Sequence, residues 1–124
     1  MRSLLVVCLI VLVSGCQKQG PLTTHGKPVS HWIEALKTAD AKTRKKAVVA
    51  LGHAGPADPT ALPALTTALK DRDPMVRREA VLALLNLGSD AKEAAPALNE
   101  ALKDKDAKVR EYAGKALERM QAGQ

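Results

Sequence analysis

The chain has no phenylalanine, one tryptophan (Trp32) and one tyrosine (Tyr112), so unpaired bases would find almost no flat side chain to stack on. That argues against a nucleic-acid partner despite the positive charge. The only cysteines are Cys8 and Cys16, both near the N-terminus, and the reading of that segment below leaves neither for a disulfide or a thiolate metal site. The three histidines, His25, His31 and His53, share no spacing that converges on a metal and read as incidental surface residues. No Gly-rich phosphate loop, nucleophile elbow or Ser/His/Asp arrangement is present, so no residue is assigned a catalytic role and no metal, cofactor or small-molecule substrate is expected. A membrane-spanning helix needs roughly 20 apolar residues. The apolar run at residues 4–13 (LLVVCLIVLV) is half that length.

What is present begins with that run. It follows Met1 and Arg2 and ends at Ser14, Gly15 and Cys16, a pattern that fits the core of an export signal. Val13, Ser14, Gly15 and Cys16 resemble the bacterial lipobox, in which small residues precede a cysteine that is diacylated and becomes the new N-terminus; the usual Leu is Val13 here. The resemblance implies a signal peptide over residues 1–15 and a lipid anchor on Cys16. Cys8 then leaves with the signal, the mature chain keeps no free thiol, and loss of Arg2 takes the net charge from +6 to +5. A moderately basic surface of this kind favours anionic lipids, acidic glycans or acidic proteins. Gln17, where sorted lipoproteins retained at the inner membrane have Asp, implies an outer-membrane location in a bacterium with two membranes. Residues 17–29 (QKQGPLTTHGKPV) hold two Gly and two Pro without helical periodicity, and residues 16–29 are expected to form a flexible tether.

The rest of the chain repeats itself with a period of 33 residues. Aligning residues 30–54, 63–87 and 96–120 gives eight positions identical in all three units: Ala35/Ala68/Ala101, Leu36/Leu69/Leu102, Lys37/Lys70/Lys103, Asp40/Asp73/Asp106, Arg44/Arg77/Arg110, Ala47/Ala80/Ala113, Ala50/Ala83/Ala116 and Leu51/Leu84/Leu117. The second and third units share 13 of their 25 residues. Such a period marks a solenoid, in which each unit buries its apolar face only against its neighbours. Within a unit, Leu62, Leu65 and Leu69 recur at helical spacing, residues 71–74 interrupt, and Val76, Ala80, Ala83, Leu84 and Leu87 resume it. Asp73 stands where an N-cap is needed and Pro74 at the first helical position; Asp40 and Asp106 repeat the capping role. Six helices are expected, at about residues 30–38, 41–53, 60–70, 74–87, 91–103 and 107–121, with Gly55-Pro56 and Gly88 ending the longer ones.

The motif PALxxALKDxDxxVRxxAxxAL, intact at residues 63–84 and 96–117, resembles the HEAT repeat family, particularly its short bacterial form. The resemblance covers residues 30–121 and implies an all-α solenoid of three helical hairpins. It also implies that Arg44, Arg77 and Arg110 pair with the inter-helix Asp40, Asp73 or Asp106, a structural ladder and not a ligand site. The first unit departs from the motif, with Ser30 for Pro and Thr43 for Val; its Trp32 is suited to cover an end with no preceding neighbour. HEAT-type iron enzymes similar to deoxyhypusine hydroxylase use His-Glu pairs, and this chain has none. Bilin lyases carry the same repeats in longer chains.

In HEAT-like arrays the second helices line the concave surface. The stacked columns there are Lys45/Arg78/Glu111, Lys46/Glu79/Tyr112, Val49/Leu82/Lys115 and His53/Asn86/Arg119. Lys45, Lys46, Val49, Arg78, Leu82, Asn86, Tyr112, Lys115 and Arg119 form the candidate binding face, mostly basic with an apolar centre. The function expected is a non-catalytic protein-binding or scaffold module anchored to a membrane through lipid, its partner a protein. The alternative is an accessory subunit or degenerate enzyme of the bilin lyase or deoxyhypusine hydroxylase kind.

Overall fold

The computed structural model describes residues 23–123. The expected signal peptide over residues 1–15, Cys16 and residues 17–22 of the expected tether lie outside them. Six α-helices follow one another: α1 (Val29–Ala35), α2 (Ala41–Ala54), α3 (Ala61–Ala68), α4 (Pro74–Leu87), α5 (Ala95–Ala101) and α6 (Ala107–Ala122). They make three hairpins of a short and a long helix, the solenoid that the period demanded. No helix among the described residues is long and apolar enough to cross a membrane.

Each long helix starts at the aspartate the sequence singled out. Asp40 accepts from the amides of Lys42 and Thr43, Asp73 from Met75 and Val76, and Asp106 from Lys108 and Val109. Two of the four amides that a helix start leaves unpaired are thereby satisfied in every unit. The short helices are shorter than expected, and all end the same way. Beyond Ala35, Ala68 and Ala101 the chain tightens to i→i+3 bonds: Thr38 N donates to Ala35 O, Asp71 N to Ala68 O and Asp104 N to Ala101 O. The final turn is therefore 3-10 and closes directly into the inter-helix corner. The helix expected from residue 91 begins instead at Ala95. Residues Gly88–Ala94 form a 3-10 segment, broken at Ala91 (φ −106°, ψ 20°), and α5 starts next to Pro96.

Residues 23–29, which composition placed in an irregular tether, form a small hairpin and the start of α1. Thr23–Thr24 (β1) and Lys27–Pro28 (β2) pair antiparallel across a two-residue turn at His25 and Gly26. Both turn residues have positive φ (53° and 72°), the backbone that keeps a tight hairpin in step with strand twist. The indole of Trp32 donates to Thr24 O at 2.9 Å and pins this hairpin to α1. Half-buried Trp32 packs against the core from α1, with the hairpin held beside it.

The core is aliphatic. Leu51, Leu65, Leu84, Leu98, Val48, Val76, Val81 and Val109 are fully buried, with alanines between them. Small side chains bring the long helices close: a Cβ on Gly52 of α2 would lie 3.0 Å from the Ala83 Cβ of α4. α4 packs broadly against both α2 and α6, whereas α1, α3 and α5 touch one another little. The long helices thus form the inner, tighter layer. Position in the stack then decides exposure within a repeated column: Leu69 is 4% exposed, but Leu102, with no described unit beyond it, is 41% exposed.

Candidate binding face

The arginine column is structural, as the resemblance implied, but its partners are different ones. Arg44 sends Nε and Nη2 to the Asp71 carboxylate of the next unit (2.8 and 3.0 Å) and Nη1 to Thr38 O and Ala39 O of its own. Arg77 repeats this with Asp104 (2.9 and 3.0 Å) and with Asp71 O and Arg72 O. Arg110 keeps the carbonyl half, to Asp104 O and Lys105 O, and pairs with no carboxylate among the described residues. The expected partners Asp40 and Asp73 are occupied as caps. It is the first aspartate of each DxD corner, Asp71 or Asp104, that also accepts the amide of the second and faces the preceding unit. This role was readable from the repeated DxD, and from Thr38 standing in the first unit where no preceding arginine needs a carboxylate.

These ion pairs set a pH dependence. Burial pushes the Asp71 carboxyl up, but the Arg44 fork and the Asp73 amide outweigh it and hold the group below the usual carboxylate range; Asp104 behaves alike with Arg77 and Asp106. The Arg78 fork holds Asp106 far down, and Lys115 and Lys108 hold Glu111 at about 2. A depressed folded pKa gives stability that is present above the unfolded value, near 4, and lost as pH falls through the folded one. The melting temperature is therefore expected to stay level from pH 7 to about 5 and to fall below about 4. Asp71→Asn should flatten that acid limb, and thermal melts across the pH range read both effects. Exposed pairs such as Lys108 with Glu111 contribute little, because solvent screens them.

The nine residues of the candidate face lie along α2, α4 and α6. Several are engaged with one another. Arg78 forks onto Asp106, the capping residue of α6, and so ties two units together. Lys45 lies 3.4 Å from Glu79, and Lys115 bonds Glu111 at 2.8 Å. Tyr112 is half-buried between the ammonium groups of Lys108 and Lys115, 5.8 and 5.9 Å from its ring centre. Val49 and Leu82 are half-buried, and Asn86 and Arg119 are exposed. Lys46 is exposed and pairs with no carboxylate among the described residues.

At the N-terminal end of this face the structure assembles a feature that sequence reading missed. His25, Trp32, Lys42, Lys45, Lys46 and Val49 line a groove of about 520 Å³ with mainly apolar walls. Lys42, Lys45, Lys46 and Val49 follow the i, i+3, i+4, i+7 spacing of one helix stripe, a signal available in the sequence. The opposite wall was not available, because it needs the hairpin to fold back. His25 Nε2 comes within 3.2 Å of His53 Nδ1, so two histidines 28 residues apart meet at the rim. His31 lies apart, beside Lys27. No group of three or more potential metal ligands occurs among the described residues.

Solved structures show where such an array recurs. The complex of CpcE and CpcF of phycocyanin lyase from Nostoc sp. PCC7120 matches 85% of this chain at 30% identity, with a TM-score of 0.67 over 40% of its own chain. A designed armadillo repeat protein in complex with the peptide (KR)4 matches 74% at 25% identity, with a TM-score of 0.61 over 46% of its chain. An engineered protein matches 77% at 26% identity, with a TM-score of 0.59 over 46% of its chain. The chain spans less than half the length of each. Comparison with curated proteins gives no match. A family model described as HEAT repeats matches residues 29–118. With the 33-residue period, the capped hairpins and the inter-unit arginine ladder already in place, the chain belongs to the HEAT repeat family.

Proposed function

We propose that this protein is a non-catalytic protein-binding or scaffold module that works through the inner face of α2, α4 and α6 and is held at a bacterial membrane by a lipid on Cys16. The observation that carries the binding half is the inner layer itself: Val49, Leu82 and Tyr112 stand half-buried along it, flanked by lysines and arginines. A rigid surface with an aromatic centre and cationic margins has the composition of interface hot spots. Two similar structures are themselves complexes, one with a protein and one with a peptide. Lys46→Glu combined with Tyr112→Ala is expected to abolish recovery of cross-linked partners while the array stays cooperatively folded, its melting temperature lowered only by the loss of the half-buried ring. Equal recovery from that variant, with loss from variants of exposed α1 residues such as Glu34, would move the site to the outer face.

The anchoring half rests on the short apolar run and the small residues before Cys16. Cys16→Ser is expected to shift the protein from membrane to soluble fractions, or to leave it uncleaved, and intact mass reads the loss of acyl groups. Unchanged partition and mass would remove the anchor from the reading. The likeness to the phycocyanin lyase complex favours one second reading, an accessory subunit of a lyase-type enzyme. Stoichiometric co-purification with an enzyme whose activity depends on this chain would select it.

A further inference from the structure

We propose that the groove at the N-terminal end of the inner face takes an acidic peptide segment, with an aromatic or long aliphatic side chain seated against Trp32 and Val49 and carboxylates on either side of it meeting Lys42 and Lys46. The proposal rests on the protein-binding reading and names the partner chemistry of one part of that face.

Size, wall chemistry and charge point the same way. A volume of about 520 Å³ lies within the range of specific ligand pockets, and its mainly apolar walls reward a large apolar side chain. Around those walls stand the ammonium groups of Lys42, Lys45 and Lys46, and the only carboxylate paired with any of them among the described residues is Glu79, 3.4 Å from Lys45. Lys42 and Lys46 are left to a ligand. An apolar floor beneath them lowers the local dielectric, which strengthens attraction to an incoming carboxylate. The groove is also preformed: Trp32 is fixed by its bond to Thr24 O, and His25 by its bond to His53. Little conformational freedom remains to be lost on binding.

The occupant comes from another molecule. Residues 17–22 of this chain (QKQGPL) carry a lysine and no carboxylate, the wrong charge for this rim. A peptide fits better than a compact anion because Val49, which lines the groove, has its counterpart one period on in Leu82 of α4, half-buried like Val49, so apolar surface recurs on the next unit. Further along the face Arg78 and Lys115 are paired with Asp106 and Glu111, while Arg119 pairs with no carboxylate among the described residues, so the unpaired charge an acidic chain meets is positive and a basic chain is repelled.

Trp32 is the only tryptophan in the chain, so its fluorescence reports occupancy directly. The probe is the acetylated, amidated pentapeptide Glu-Glu-Phe-Glu-Glu, titrated into the purified full chain. A saturable change in Trp32 emission is expected, weakening roughly tenfold between low and high salt as Coulomb attraction is screened. Lys42→Glu with Lys46→Glu should weaken it at least tenfold with an unchanged melting temperature. The proposal is overturned by no saturable change, by equal binding of the peptide with Ala for Phe, by equal binding of the all-lysine version, or by equal affinity of 3-phenylpropionate, which would make the groove a small-molecule site. If the peptide fails while the inner-face variants still lose cross-linked partners, the ligand class is wrong and the protein-binding reading stands. If those variants also keep their partners, both fall.

Discussion

Leu84→Ala is expected to cost about 2 to 5 kcal/mol of unfolding free energy, the largest effect of any single aliphatic truncation in the array. Leu84 is fully buried on the middle long helix, which packs against α2 on one side and α6 on the other. Removing its side chain takes away apolar burial and leaves a cavity that two neighbouring units must collapse to fill. In a solenoid each unit is stable only through its neighbours, so damage to the central unit weakens both interfaces at once. For a domain of this size that is a drop in melting temperature of about 10 °C or more. Leu102→Ala is the informative control. Leu102 occupies a column identical in all units, yet it is 41% exposed, and its loss should cost under about 1 kcal/mol. Equal shifts at Leu84 and Leu102 in chemical or thermal denaturation would mean that the units do not stack as described.

Asp71→Ala is expected to cost about 2 to 4 kcal/mol, because it strands the Arg44 guanidinium, only 4% exposed, between two units without its carboxylate. The loss arises less from the attraction removed than from the unpaired charge left behind, since Arg44 keeps only its bonds to Thr38 O and Ala39 O. The Asp73 amide, which donates to Asp71, is orphaned as well. Arg110→Ala tests the same column at the other end of the stack. Arg110 is exposed and among the described residues bonds only to the carbonyls of its own corner, so its replacement should move the melting temperature far less than Asp71→Ala. If the two variants melt alike, the inter-unit fork carries no stability.

The repeat architecture was legible because it is written in local chemistry. A cap needs an aspartate within three residues of the amides it satisfies, and a helix needs apolar residues every three or four positions; Asp40, Asp73, Asp106 and the leucine columns supply both wherever the unit recurs. The assignment of nine face residues to the long helices follows from the same periodicity, and the structure places all nine there. The choice between Asp71 and Asp73 as the partner of Arg44 was not legible. Two aspartates separated by one residue look equivalent in sequence, and only the corner geometry turns one toward its own helix and the other toward the preceding unit.

The sequence by itself determined the number of units, their hairpin form, the capping residues and the aliphatic core, since each of these depends on contacts within a unit or between units one period apart. Tertiary structure alone decided what lies at the ends of the stack and between distant segments. A period cannot say that Leu102 is exposed where Leu69 is buried, because burial depends on whether a neighbour stands beyond. Nor can composition show that His25 and Gly26, which look like tether residues, turn a hairpin back onto Trp32 and bring His25 to His53. Closing that hairpin sets a wall from one segment against the lysine stripe of another, and the groove exists only once both have folded.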